Sequence, residues 1–366
     1  MKASRLQSSR RVVLLLLMVL SLLGSGRSAH ADEVRFYMKF SGARLRTQPS
    51  GIAPLGAPVA YDATYAVIGR TTDGMWLQLQ VAGATGWLPR GFGDVQGNVD
   101  TLPLTKPVAP PMPKNSSRTA LPKWIGVTAR GKGVLQQGIK AGRDGRMFTI
   151  AGDSNAQWPM LLGLQVGGQI DVAQSQPVLR TMLTRFEPSL AHVSVAVGGG
   201  FRAADMFDVS FPQKPATCQP AEGVFACELR LSNASIVFIQ LGTGDRFAWK
   251  DYEPTYRAML DTALVANVLP VLFTKADEME SYQGGAPMGY LNDVVRKLAA
   301  EYQLPLVEFF DATRDLPTVP NPDLPDRPFI QHGLHDEWGY YFHLTEQGRT
   351  LKLVCMLQAL DALTRA

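Results

Sequence analysis

Phe148-Thr149-Ile150-Ala151-Gly152-Asp153-Ser154-Asn155-Ala156-Gln157-Trp158 is the stretch whose reading decides the fold. A continuous apolar run stops at Gly-Asp-Ser and a new segment begins at once. A strand that ends in a small residue and a polar turn presents its serine at the C-terminal edge of a sheet. The N–H groups that follow are then free to face a ligand. Alone, Gly-Asp-Ser is more often a plain turn, so its meaning depends on what surrounds it.

From Trp124 onward the chain alternates apolar strands with amphipathic helices. Strands are expected over 147–151, 193–197, 235–241, 269–274 and 306–309. Helices are expected over 134–140, 177–185, 252–267, 291–302 and 347–363, with a further helix start near Ala203. Continuous apolar strands in a β-α repeat predict a parallel sheet covered on both faces, a three-layer α/β/α unit. Ligands of such sheets bind beyond the carboxyl ends of the strands. Gly152-Asp153-Ser154, Gly198-Gly199-Gly200 and Gly242-Thr243-Gly244-Asp245 all fall on that edge.

Upstream, residues 33–100 read as short strands over 34–40, 60–65, 66–70, 75–81 and 85–88, with Thr72-Asp73-Gly74 as a hairpin turn. Several short strands without a helix predict a small β-barrel. Residues 101–122 carry Pro103, Pro107, Pro110, Pro111, Pro113 and Pro122, the composition of a semi-stiff linker. At the start, Lys2, Arg5, Arg10 and Arg11 precede an apolar Val12–Leu23, and Ala29-His30-Ala31 has the form of a cleavage site. Residues 1–31 therefore read as a secretory signal, with an uncleaved anchor as the alternative and a secreted or envelope location as the consequence. They contain five basic and no acidic residues of the chain's 36 and 32, so the remainder is close to neutral. That balance gives no indication of a nucleic-acid partner.

Three cysteines remain for an oxidising environment. Cys218 and Cys227 lie close together and are expected to form a disulfide; Cys355 falls in the apolar stripe of the last helix as a buried thiol.

Two resemblances sharpen this reading. Ala43–Gly51, Ile68-Gly69-Arg70, Gly74-Met75-Trp76-Leu77-Gln78-Leu79 and Gly86-Trp87-Leu88 together resemble a bacterial SH3-like domain. Such domains often bind cell-wall peptides or glycans; the alternative is a packing or spacer module with Trp76 and Trp87 in its core. Residues 123–366 resemble the SGNH (GDSL-type) hydrolases, which implies a flavodoxin-like sheet. The matches are Gly152-Asp153-Ser154, Gly200, Gly242-Thr243-Gly244-Asp245 and His343 in Phe-His-Leu-Thr-Glu-Gln-Gly. Secreted bacterial members share Val134-Leu135-Gln136-Gln137-Gly138 and the Cys218…Cys227-Glu228 segment.

The resemblance implies a serine esterase acting on an acyl ester, on a cell-surface or environmental glycan. Ser154 would be the nucleophile and His343 its base, because a hydroxyl needs a proton acceptor within hydrogen-bond reach at neutral pH. Backbone N–H groups of Ser154 and Gly200 would meet the oxyanion. Two positions depart from the family pattern: Gly244 stands where it has asparagine, and Tyr340 where it has aspartate. The Gly244 N–H, or a bound water, would replace the first, and Asp336, or Glu337, the second. His332, His335 and Asp336 as a metal site, and Trp338, Tyr340, Tyr341 and Phe342 as a pocket lining or a sheet cover, are further readings. No cofactor or metal is required. The departures keep two other readings open, a catalytically weak SGNH-fold binding module and an acyltransferase.

Overall fold

The computed structural model describes residues 33–39, 43–50, 53–106, 121–156, 177–190, 192–278, 280, 285–314, 318–320, 330–332, 344 and 346–365. The expected export signal, most of the Pro-rich stretch, Asp336 and His343 lie outside the described residues. Among those described, no helix is long and apolar enough to cross a membrane.

Alternation in Trp76–Val81 sends Leu77 and Leu79 to an interior already filled by Phe36, Met38, Leu45, Leu88 and Phe92. The N-terminal strands are β1 (Arg35–Met38), β2 (Arg44–Arg46), β3 (Leu55–Pro58), β4 (Thr64–Thr71), β5 (Trp76–Val81), β6 (Ala84–Pro89), β7 (Gly93–Gln96) and β8 (Leu104–Thr105). They form one sheet in the order β3-β2-β6-β5-β4-β1-β7, antiparallel throughout, with β8 added in parallel to β4. No ladder joins β3 to β7 among the described residues. Reading the sequence missed β2, β3, β7 and β8, which are short; β3 and β7 also carry Gly56, Pro58 and Gly93 in place of an apolar alternation. The strands expected at 60–65 and 66–70 are instead one strand, β4. Trp76 and Trp87 are 2% and 5% exposed and pack on each other beside Met75, so both are interior.

The remaining strands are β9 (Ile125–Gly126), β10 (Asp144–Gly152), β11 (Ala234–Gln240), β12 (Leu269–Phe273), β13 (Leu306–Val307), β14 (Thr318–Pro320) and β15 (Ile330–His332). The helices are α1 (Ala129–Lys140), α2 (Pro177–Arg185), α3 (Val224–Leu231), α4 (Trp249–Val265), α5 (Tyr290–Tyr302), α6 (Phe309–Thr313) and α7 (Glu346–Thr364). β10, β11, β12 and β13 pair in parallel in that order, and β9 closes the far side antiparallel to β13. Every residue of β11 and β12 is buried, as expected of strands covered on both faces. Two sets of helices supply the cover: α1, α2, α6 and α7 pack together, and so do α3, α4 and α5. This α/β layering is the expected one.

The expected strand at 193–197 is a correction. It meets β10 only where Val197 faces Gly152 in a single parallel bridge. Its polar groups turn elsewhere: Val195 N–H donates to Glu228 Oε2 at 2.8 Å and Ala196 N–H to Ser194 Oγ at 3.0 Å. A backbone whose donors are taken by side chains cannot extend a ladder. Even so, the order of parallel elements is the doubly wound 2-1-3-4-5. The expected helix near Ala203 is only a 3-10 turn, Ala204–Met206. Conversely, α3 occupies part of a segment read only as a disulfide loop. Cys218 and Cys227 are bonded, and Glu228 beside them is wholly buried, accepting from the Thr149 hydroxyl and paired with His192 at 2.6 Å. Cys355 is a buried free thiol, as expected.

Candidate active site

β10 runs out at Gly152, and only glycine fits there. A Cβ would lie 2.3 Å from Gln240 O and 2.4 Å from Ala156 Cβ. The chain then turns sharply into a 3-10 turn, Ser154–Ala156. Asp153 is 2% exposed and organises that turn: its Oδ1 accepts from Asn155 N–H at 2.9 Å, its Oδ2 from Thr243 N–H at 3.1 Å. One carboxylate therefore ties the serine turn to the turn after β11.

Gly200 and Gly244 come together at this edge. A Cβ on Gly244 would sit 3.2 Å from Gly200 O and 3.0 Å from Arg202 Cγ. The Arg202 stem thus lies against the place where a side chain at position 244 would begin. Gly200 has φ +76° with open space around it, so conformation rather than crowding requires glycine there. Among the described residues, the backbone N–H groups of Ser154, Gly200 and Gly244 make no hydrogen bond.

Asp245 follows directly. Its Oδ1 accepts from Ala203 N–H at 2.8 Å, while Oδ2 has no partner among the described residues. Burial pushes this carboxyl up to about 7; the Ala203 N–H opposes the shift, and the charges of Asp153 and Asp205 add to it.

The turn is also held from the C-terminal helix. Leu344, the residue after His343 in sequence, donates its N–H to Asn155 Oδ1 at 2.9 Å, and its carbonyl accepts from Arg349 at 3.0 Å. Lys352 on α7 is 2% exposed; its Nζ donates to Asn155 O at 2.7 Å and to Gln240 Oε1. Burial drives this amine down to about 7, against the pull of the Asp153 charge. Beyond β12, Lys275 is buried against Glu280 at 2.9 Å and Asp277 at 3.2 Å. Burial alone would lower it, but the two carboxylates outweigh burial and hold it above the ordinary lysine value.

A small polar cleft joins these groups, lined by Asp153, Asn155, Gln240, Thr243, Lys275, Asp277 and Leu344. Of the residues expected in the site, Ser154, Gly200 and Gly244 share this edge. His343 and Asp336 lie outside the described residues, as does His335 of the alternative metal reading; His332 is in β15. Asn155, Asp277 and Lys352 were missed. Lys352 had a usable signal, a lysine inside the apolar stripe of the last helix. Asp277 had a weaker one, a carboxylate just past a buried strand.

No protein-family model matches the chain, and no curated protein matches it in sequence. Among solved structures, an acetyl xylan esterase is 17% identical with a TM-score of 0.35, covering 57% of this chain and 97% of its own. A GDSL-like lipase from Bacteroides thetaiotaomicron is 11% identical at 0.36, covering 64% and 98%. A Bacillus subtilis protein is 15% identical at 0.36, covering 90% and 77%. Likeness at this level carries no functional weight.

Proposed function

We propose that this chain is a secreted serine esterase of the SGNH type that hydrolyses an acyl ester, its substrate a small acyl group carried on a glycan. The observation that carries the reading is the hydrogen bond from Leu344 N–H to Asn155 Oδ1. It holds the residue after His343 beside the residue after Ser154, and bonded neighbours are only about 3.8 Å apart between Cα atoms.

In the proposed reaction Ser154 Oγ attacks the ester carbonyl carbon while His343 takes the hydroxyl proton. The carbonyl π electrons move to oxygen, and the N–H groups of Ser154, Gly200 and Gly244 donate to that oxyanion. Collapse breaks the bond to the alcohol, which leaves with the proton from His343. Water then attacks the acyl-enzyme by the same steps in reverse roles, releasing the acid and Ser154. Two carboxylates compete to orient the base: Asp336, from its place in the sequence, and Asp277, which lines the cleft with Leu344. The N-terminal sheet, read as an SH3-like domain, would hold the enzyme to a cell-wall peptide or glycan. Because Trp76 and Trp87 are interior, that contact would use other side chains.

Incubation with a fluorophosphonate probe and p-nitrophenyl acetate tests the reading. Labelling and turnover are expected in the parent, with turnover falling at least about 10³-fold in Ser154→Ala. Absence of both in the parent would reject it. Asp336→Asn and Asp277→Asn, run side by side, identify the orienting acid as the one that costs up to about 10⁴ in kcat. A second reading, a weak or inactive binding module, is favoured by Gly244, which offers no side-chain donor. Labelling with poor hydrolysis but transfer to an added sugar would instead indicate an acyltransferase.

A further inference from the structure

A lysine is an expensive residue to bury, and Lys352 is buried without a carboxylate in hydrogen-bond contact among the described residues. α7 just beyond it is apolar, with Leu353, Met356 and Leu357 each at most 1% exposed. A methionine would fill such a place at lower cost. What the amine provides is direction: both of its acceptors, Asn155 O and Gln240 Oε1, belong to the segments that frame Ser154. Gln240 is also fixed on its other side, its Nε2 donating to Thr274 O at 3.0 Å, so Lys352 meets an acceptor that cannot swing away freely. Asn155 is the hub. Its N–H goes to Asp153, its carbonyl oxygen takes Lys352, and its side-chain oxygen takes Leu344 N–H. Arg349, one helical turn before Lys352, holds the other end of Leu344. Two cations of α7 thus grip the two ends of a short bridge, one through Leu344 O and one through Asn155 O.

We propose that Lys352 is a positioning residue: acting through Asn155, it holds the serine turn in register with the segment that begins at Leu344. Its kinetic consequences rest on the serine-esterase reading; its structural consequence does not. The amine touches no reacting atom. It fixes the peptide next to Ser154, and misplacement of a reacting group by about 1 Å can cost on the order of 100-fold in rate.

The test uses the full chain, with Lys352→Met, Asn155→Ala and the double variant. Each single substitution is expected to lower kcat for p-nitrophenyl acetate by roughly 10- to 100-fold with KM little moved. The double is expected to lose no more than the worse single, because both break one bridge. Losses that multiply in the double, or a Lys352→Met enzyme with unchanged kcat, would overturn the proposal. Hydrogen exchange at the Leu344 amide is the second measurement. Protection is expected in the parent and faster exchange in Lys352→Met, while amides of β11 stay protected; unchanged Leu344 exchange would also overturn it. If the parent shows no Ser154-dependent turnover, the esterase reading fails and the exchange result alone decides the bridge. Should Lys352→Met not fold, Lys352→Gln, neutral and shorter by one bond, is read by the same two measurements.

Discussion

Lys275 and Lys352 are both almost fully buried at the same sheet edge, yet their surroundings treat the positive charge in opposite ways. Lys275 follows β12 and meets two carboxylates, so its charge is held more firmly than in water. Lys352 comes in from α7 and, among the described residues, donates to neutral oxygens, so its charge is easily given up. Equal burial therefore says little about a lysine until its partners are named. Lys275 joins an ionic group with Asp277 and Glu280 under the Gly242 turn, where any Cβ would strike its stem at 2.4 Å. Lys352 acts as a neutral-capable strut.

The sharpest way to break the contrast is to remove each amine. Lys275→Met leaves Glu280, whose side chain is wholly buried, without its cation, and should cost about 3–5 kcal/mol in urea unfolding. A loss below about 1 kcal/mol would contradict that dependence. Lys275 also sets a pH signature. Its folded value lies above the unfolded one, so its contribution is full below the unfolded value and is lost as pH rises through the folded value.

For Lys352 the sign reverses. Its amine titrates near 7 in the folded chain and near 10.5 when unfolded, so between those values the unfolded state binds the extra proton. Stability attributable to this residue therefore rises with pH across that window, by at most about 1.4 kcal/mol per unit. Lys352→Met should lack that rise, and parallel pH curves for parent and variant would contradict the assignment. Asp245 gives a smaller effect over a slightly narrower window. Its carboxyl titrates near 7 folded and near 3.8 unfolded, so the folded state holds a proton that the unfolded state has released. Parent stability should fall with rising pH there, and Asp245→Asn should gain on the parent between about pH 4 and 7. Thermal melts at pH 4 and pH 8 check this; an equal offset at both would be inconsistent with it.

Legibility in the sequence followed the same division between self-sufficient and partner-dependent groups. β10, β11, β12 and α4 were readable because their apolar patterns are long and local. The strand expected at 193–197 failed because Glu228, some 30 residues away, takes a backbone donor that a ladder would need. α1 begins five residues earlier than expected, since Thr128 accepts from Gly131 N–H as an N-cap ahead of two glycines that obscured the helix. Gly152-Asp153-Ser154 and the glycine turns were visible as local punctuation. The contacts that join them were not: Asp153 to Thr243, Asn155 to Leu344 and Lys352 to Asn155 each span roughly 90 to 200 residues, and no pattern of nearby residues encodes them.

β9, only two residues long, has a consequence for how the chain behaves outside its native state. It lies antiparallel along β13, itself only two residues, and Glu308 N–H donates to Trp124 O just beyond at 2.9 Å. Without it, β13 would be the open border of a parallel sheet, with unpaired donors and acceptors available to another chain. The strip that leads out of the N-terminal sheet thus doubles as a guard against self-association. A shortened protein beginning at α1 would keep every residue of the serine edge, yet should be the form most prone to aggregate.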